Sequence, residues 1–313
     1  MSKTPKLSLV ISSFNRKEDL IETISFSKKF YRNDIEILII DSQSTDGTQE
    51  FLLNLEDKNI QVYILEKDRG SAYMHTYGMS KAKGEYVICI DDDCYLAANV
   101  ISETIRIFDK YTNLATIGFG LINPNTDFNQ DLLFQNNKVD DEKYNINESY
   151  EIKNYASAQA YKKRILEEVG YMDLNWNWGT NTEDLDLNYS IISHGYNSVK
   201  IDELISFHKV SIKNRNADKF SKNRVNGMFW IILKHYPLNQ MIKYYFKFFS
   251  LCIYFSIINL NINYIIGFFN SIRLSPKYIR HSPKIKKEIF NKVIIPLGWF
   301  FSIPKKTKWF GEK

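Results

Sequence analysis

Four short apolar runs, each ending on a polar cluster, constrain this chain more than any other feature. They are LSLVIS (residues 7–12), IEILIID (35–41), IQVYILE (60–66) and EYVICID (85–91), followed by SSFNR, DSQSTDG, EKDRG and DDDC. Runs rich in β-branched and aliphatic residues are what strands covered on both faces require. Helix-like stretches lie between them. The first carries Leu20, Ile21 and Ile24 at helical spacing, with Asn15 predicted as its N-cap and Glu18 three residues on. Strand and helix in alternation predict an α/β protein with a largely parallel sheet. Ligands of such sheets bind beyond the carboxyl ends of the strands, so the four polar clusters are expected to meet in one crevice.

Further along, YASAQAYKKRILEEVGYMD (155–173) predicts a strand and then a helix ending at Gly170. NTEDLDLNYSIISHG (181–195) predicts a helix from Thr182 that stops at Gly195. Between residues 123 and 147, 11 of 25 positions are Asn or Asp without periodicity, which reads as an exposed, mobile loop.

The formal charge of +5 hides a division. Residues 209–313 hold 20 Lys and Arg against three acids, while residues 1–208 hold 21 against 33. A basic segment meets nucleic acid or an anionic membrane, and its neighbours decide which. Here they are apolar, YYFKFFSLCIYFSIINLNINYIIGFF (244–269), with no nucleic-acid-binding motif. Interrupted by Ser256, Asn259, Asn261 and Asn263, this stretch falls short of a clean membrane span. A helical hairpin lying in an anionic membrane surface is expected, with RLSPKYIRHSPKIKKE (273–288) as its basic anchor; a helical layer capping the sheet is the alternative. Cys89, Cys94 and Cys252 are odd in number and lack CxxC spacing, which argues against disulfides and zinc. With an N-terminal apolar run too brief for a signal peptide, a cytoplasmic location is expected.

Asp91, Asp92 and Asp93 follow without a break and repel one another. If the strand's period of two persists, Asp91 and Asp93 face the same side, and paired oxygens suit a hard divalent cation. The same acids equally fit an ordinary turn. No GxxxxGK or GxGxxG accompanies them, so a phosphate would be held through a metal. Glu183 and Asp184 open a helix, where the macrodipole favours acids whatever the function.

In order and spacing these elements resemble family 2 glycosyltransferases of the GT-A fold. LSLVISSFNRKEDL resembles the family's opening strand and Pro-Thr-Tyr-Asn-Arg loop, with Ser12, Ser13 and Phe14 in place of the first three and Asn15 and Arg16 kept. ILIIDSQSTDGTQEFL is similar to its Val-Asp-Asp-Gly-Ser-Thr-Asp-Gly-Thr run. RGSAYMHTYGMSKAKGEYVICIDDD follows the stretch leading to the metal motif, with His75 and Thr76 where Arg-Asn is usual. VGYMDLNWNWGTNTEDLDL resembles Gly-Gly-Phe-Asp, an aromatic loop and Glu-Asp-x-Asp-Leu.

The resemblance implies a metal-dependent, inverting glycosyltransferase that moves a sugar from a nucleotide diphosphate sugar to a hydroxyl, on a lipid-linked or surface saccharide. It makes Asp184 the base and Glu183 its neighbour, and assigns a divalent cation, Mn or Mg, to Asp93 and His208, the imidazole favouring Mn. Ser13, Phe14, Asp41, Arg69, Asp91 and Asp92 are expected at the nucleotide, and Trp176 and Trp178 against the acceptor sugar. The expected organisation is a catalytic domain over 1–238, with a nucleotide-binding half (1–99) and an acceptor-binding half (100–238), then a helical extension over 239–313 that is peripheral on the cytoplasmic face of the inner membrane. The altered His75-Thr76 and Ser12-Ser13 leave a second class open, a catalytically inactive nucleotide-sugar-binding or scaffold protein.

Overall fold

A computed structural model of the chain describes residues 4–29, 34–151, 157–175, 182–209, 217–278 and 283–297. In chain order its first half runs β1 (Leu7–Ser13), α1 (Lys17–Lys29), β2 (Ile35–Asp41), α2 (Thr48–Leu53), β3 (Ile60–Ile64), α3 (Ser71–Lys81), β4 (Tyr86–Asp91), β5 (Cys94–Leu96), α4 (Val100–Lys110), β6 (Leu114–Ile122), α5 (Pro124–Asp127) and α6 (Gln130–Leu133). There follow β7 (Ala158–Lys162), α7 (Lys163–Val169), α8 (Thr182–Ser193), β8 (Asn197–His208), α9 (Ala217–His235), α10 (Leu238–Ile258), α11 (Asn263–Tyr278) and α12 (Lys287–Val293).

The strands form one eight-stranded sheet in the order β3-β2-β1-β4-β7-β6-β8-β5. The four apolar runs make its parallel half, and their alternate residues feed two cores. Leu9, Ile11, Ile37, Ile39, Ile88 and Ile90 pack under α1 and α4, while Val10, Leu38, Ile40, Val87 and Cys89 pack under α3, α7 and α8. The other half is mixed, since β7 runs antiparallel to both β4 and β6 and β5 antiparallel to β8. Gly170 and Gly195 take the left-handed conformation (φ 87° and 95°) just past α7 and α8, as the helix stops require.

Three expectations change. Asn15 does not cap α1: it is itself left-handed (φ 52°), and its Oδ1 accepts from Thr45 N at 2.6 Å. Asp46 serves the helix instead, its Oδ2 accepting from Lys17 N at 3.0 Å, a carboxylate where the dipole favours one. Residues 123–147 are not a loose loop. Leu133, Val139 and Ile146 are buried in the core, and buried Asp141 is held by Arg106 (2.8 Å), Lys110 (2.7 Å) and Tyr111 (2.6 Å). Asn-rich composition concealed these few anchors. Finally, α10 is long and apolar enough to cross a membrane by length and composition, the single such helix among the described residues.

The C-terminal helices form a third core shared with α8, in which Leu185, Tyr189 and Ile192 meet Phe229, Trp230 and Phe248. The boundary expected after residue 238 falls just past the first residue of α10, whose later residues join that cluster. One face of α10 buries Phe248, Cys252 and Ser256, while Leu238, Ile242, Phe246 and Ile257 stay exposed.

Candidate active site

β1 leads to β2 and β3 on one side and lies against β4 on the other, so the strand order reverses beside it, where open α/β sheets leave a crevice. Register brings the expected residues to its rim. Ser13 is level with Asp41 on one side, and Ser12 with Asp91 on the other.

The aspartate triplet converges by a turn rather than by a continued strand. β4 ends at Asp91, Asp92 and Asp93 turn, and β5 starts at Cys94. The turn is pinned by Thr23 Oγ1 donating to the Asp92 carbonyl (2.7 Å) and Lys209 N donating to the Asp93 carbonyl (3.0 Å). Pairing of Cys94 with His208 sets the imidazole alongside, with Nε2 3.2 Å from Asp93 Oδ1. One ligand atom each from Asp91, Asp93 and His208 lies within 4.8 Å of the others. His208 Nε2 is buried and makes no hydrogen bond, its approach to Asp93 failing hydrogen-bond geometry. Two carboxylates and an imidazole so disposed fit a divalent cation.

Arg16 sits opposite the carboxylates. Its Nη1 donates to Asp92 Oδ1 at 3.0 Å and lies 3.4 Å from Asp93 Oδ2. Burial works against its charge, but Asp92, Asp93 and Asp91 together hold its pKa above the usual arginine value. Asp92 is turned inward, accepting also from Phe14 N at 3.2 Å. Burial pushes its pKa up to about 7, with Arg16 pulling it down and the other two aspartates pushing it further up.

Two residues expected at the nucleotide also make contacts within the protein. Asp92 holds the first loop. Asp41 is fully buried and accepts from both the backbone N (3.0 Å) and the hydroxyl of Ser44, which folds the second loop; burial raises its pKa too. Arg69 is exposed, its guanidinium 4.6 Å from the ring centre of Tyr73 and its backbone N donating to Ser42 Oγ. Ser13 Oγ is buried at the rim without a hydrogen bond. His75 Nε2 is hydrogen-bonded to Ser12 Oγ at 2.9 Å and lies 3.7 Å from Asp91 Oδ1, so the family's Arg position here carries an imidazole on a candidate ligand. Burial lowers its pKa against the pull of Asp91.

The first turn of α8 faces the end of β4. Glu183 is buried and accepts from Ser71 Oγ, at the start of α3, at 3.0 Å. Asp184 has its pKa held well above the carboxylate range by burial first, then by the charges of Glu183 and Asp91. Cys89 on β4 is pushed up by burial and also feels both Asp184 and Asp91. Asp184 and Asp91 are thus near enough to feel each other's charge. Trp176 and Trp178 lie outside the described residues.

Comparison with known proteins follows the same lines. The family model described as Glycosyl transferase family 2 matches residues 8–170. The chain belongs to this family. Among relatives of this family 2 glycosyltransferase is the UDP-Glc:alpha-D-GlcNAc-diphosphoundecaprenol beta-1,3-glucosyltransferase WfaP of Escherichia coli, 31% identical over 114 residues, which cover 34% of this chain and 45% of WfaP. The chain therefore spans less than half the length of that relative. Among solved structures, the mannosyltransferase PcManGT from Pyrobaculum calidifontis in complex with GDP-Man and Mn2+ aligns with a TM-score of 0.54 at 16% identity, over 74% of this chain and 64% of that one. S. aureus TarS 1-349 in complex with UDP aligns with a TM-score of 0.52 at 16% identity, over 73% and 65%. These likenesses establish the GT-A fold.

Sequence reasoning assigned no role to Arg16, Thr23, His75, Ser44 or Ser71. The Asn15-Arg16 pair was a signal for the first, and the His75 departure for the third. Nothing local marks the other three.

Proposed function

We propose that this family 2 glycosyltransferase moves a sugar, with inversion and with a divalent cation, from a nucleotide diphosphate sugar to a hydroxyl of a lipid-linked or surface saccharide. The observation that carries this is the cluster of Asp91, Asp93 and His208 within ligating reach of one another, with the Asp184 carboxyl near enough to feel the charge of Asp91. WfaP, named for a UDP-Glc donor and a diphosphoundecaprenol acceptor, and the complexes of PcManGT with GDP-Man and TarS with UDP support the substrate class.

In this reading Asp184 takes the proton of the acceptor hydroxyl as the new bond forms. A sugar hydroxyl has a pKa far above 7, and a carboxylate whose own pKa is raised by burial is a better proton acceptor than an exposed one. Glu183, tied to Ser71, shapes the same turn. Asp91, Asp93 and His208 would hold the cation, with Mn favoured; when bound, it neutralises charge building on the departing diphosphate. Arg16 offsets the triplet's repulsion from the inner side. Ser13, Phe14 and Arg69 line the nucleotide end, with Asp41 and Asp92 holding the loops that present them. Attack from the Asp184 side, opposite the leaving group, inverts the anomeric carbon in one displacement.

The exposed apolar face of α10, beside Lys243 and Lys247, fits a monolayer surface better than a span, because Phe248, Cys252 and Ser256 on its other face are already packed on the protein. We place the enzyme on the cytoplasmic face of the membrane, where a lipid-linked acceptor is presented.

The test is nucleotide release from a panel of UDP-, GDP- and dTDP-sugars, with and without Mn2+ and acceptor, for wild type, Asp93→Ala and Asp184→Asn. An enzyme releases nucleotide in the presence of metal and loses this in both variants. Donor binding without release under any condition favours the inactive scaffold and ends the proposal.

A further inference from the structure

Behind the catalytic turn of α8 lies a buried ionic cluster that no step above uses. Asp186, on α8, and Asp173, in the segment after α7, are both buried. Lys234, near the end of α9, donates through Nζ to Asp186 Oδ2 at 2.6 Å and to Asp173 Oδ2 at 3.3 Å. The next residue, His235, is hydrogen-bonded through Nε2 to Asp186 Oδ1 at 2.6 Å, so both oxygens of Asp186 are gripped from α9. His235 also stacks on Tyr189, one turn further along α8, with ring centres 5.5 Å apart. At the other end of α8, Gly227 lets α9 lie against Thr182, where a Cβ would come 2.2 Å from Thr182 Oγ1. α9 therefore touches α8 at its first residue, at Asp186 and at Tyr189.

A cluster of this kind is a poor device for stability alone. Desolvating two carboxylates and an ammonium costs as much as their attraction returns, and apolar residues of the same volume do as well or better. What it provides is direction. Two hydrogen bonds from neighbouring residues of one helix to the two oxygens of Asp186 set the rotation of α8 about its axis. Asp184 lies two residues earlier, roughly 200° around the same helix, and so on the side of α8 away from the cluster.

We propose that Lys234 and His235 are positioning residues for Asp184, and that the clasp they form with Asp186 and Asp173 fixes the rotation of α8 and thereby places the base against the end of β4. This rests on Asp184 being the base. A displacement of about 1 Å there is enough to cost on the order of 100-fold in rate.

Two variants keep the fold while loosening the grip. His235→Phe retains the stack on Tyr189 and removes one hydrogen bond; Lys234→Gln combined with Asp186→Asn removes one charge of each sign and leaves Asp173 an amide donor. In both, kcat per folded molecule should fall about 10- to 100-fold while KM for the donor changes less than about twofold, and Lys234→Arg should stay within about threefold of wild type. Amide exchange over residues 183–187 should quicken at least about tenfold while that of β1 and β4 is unchanged. Unchanged exchange at 183–187 overturns the proposal, as does wild-type kcat in both variants. If wild type turns over no donor, the transfer reading fails separately, and the exchange measurement alone decides the clasp.

Discussion

Replacing Arg16 by methionine removes the positive charge that faces the aspartate triplet while nearly keeping its volume. The guanidinium lies 3.0 Å from Asp92 and 3.4 Å from Asp93, with only 15% of the side chain exposed. At an effective dielectric of about 20 each contact represents ~5 kcal/mol of gross attraction. Desolvation offsets most of that. Truncating one member of a buried charged set still costs a net ~3–5 kcal/mol, because the carboxylates stay buried without their partner. For a chain of this size that is a fall of roughly 5–8 °C in the melting temperature of the metal-free protein. A divalent cation supplies positive charge to the same carboxylates, so it binds the variant more tightly. Mn2+ at about 100 times Kd, worth ~2.7 kcal/mol in wild type, should raise the variant's melting temperature by more than it raises that of wild type. Circular dichroism melts of chelator-treated protein, with and without Mn2+, measure both quantities. A metal-free variant that melts with wild type, or an equal Mn2+ increment in the two proteins, refutes the view that Arg16 and a cation share the task of balancing the triplet.

Asp184→Asn should lower turnover by on the order of 10²- to 10⁴-fold, with nucleotide affinity by calorimetry nearly unchanged; a parallel loss of affinity would assign this carboxylate to binding instead. Asp92, with an ordinary pKa of 3.8 and a folded one of about 7, binds its proton more tightly in the folded chain, so metal-free stability should decline as pH rises through that window. Asp92→Asn should flatten this slope in urea titrations, and an unaltered slope would remove Asp92 as its source. Asp141→Asn frees the cluster of Arg106, Lys110 and Tyr111, and limited proteolysis should then cut within residues 123–147 about tenfold sooner, unless the buried apolar anchors suffice alone. Phe246→Asp with Ile257→Asp, at positions 73% and 67% exposed, should leave melting unchanged yet abolish sedimentation with vesicles of anionic lipid, which in wild type weakens with salt. Sedimentation that survives both changes would remove α10 as the contact.

Much of the site was legible because it is built at strand ends. An apolar run that stops at Asp41 or Asp91 announces both the strand and the rim, and β2 begins and ends where its pattern does. The direction of each carboxylate was not legible. A period of two predicts Asp91 and Asp93 on one side, and they do converge, but through a turn held by Thr23 and the backbone of Lys209. The same turn sends Asp92 inward to Arg16, and a serine three residues on takes both oxygens of Asp41. In residues 123–147 composition misled, since three buried apolar side chains and one aspartate outweigh the surrounding asparagines.

Taken alone, the amino-acid sequence determined where the strands lie, that their carboxyl ends bear the chemistry, and which family the chain resembles. These follow from local rules, as side-chain periodicity and cap residues act over a few positions. Only the tertiary structure decided that Asp184 lies near enough to Asp91 to feel its charge, that Arg16 balances the triplet, and that Lys234 and His235 grip α8. Each of these joins segments distant along the chain. Their meeting depends on strand order and helix packing, which are settled by the burial of whole faces rather than by any short stretch of residues.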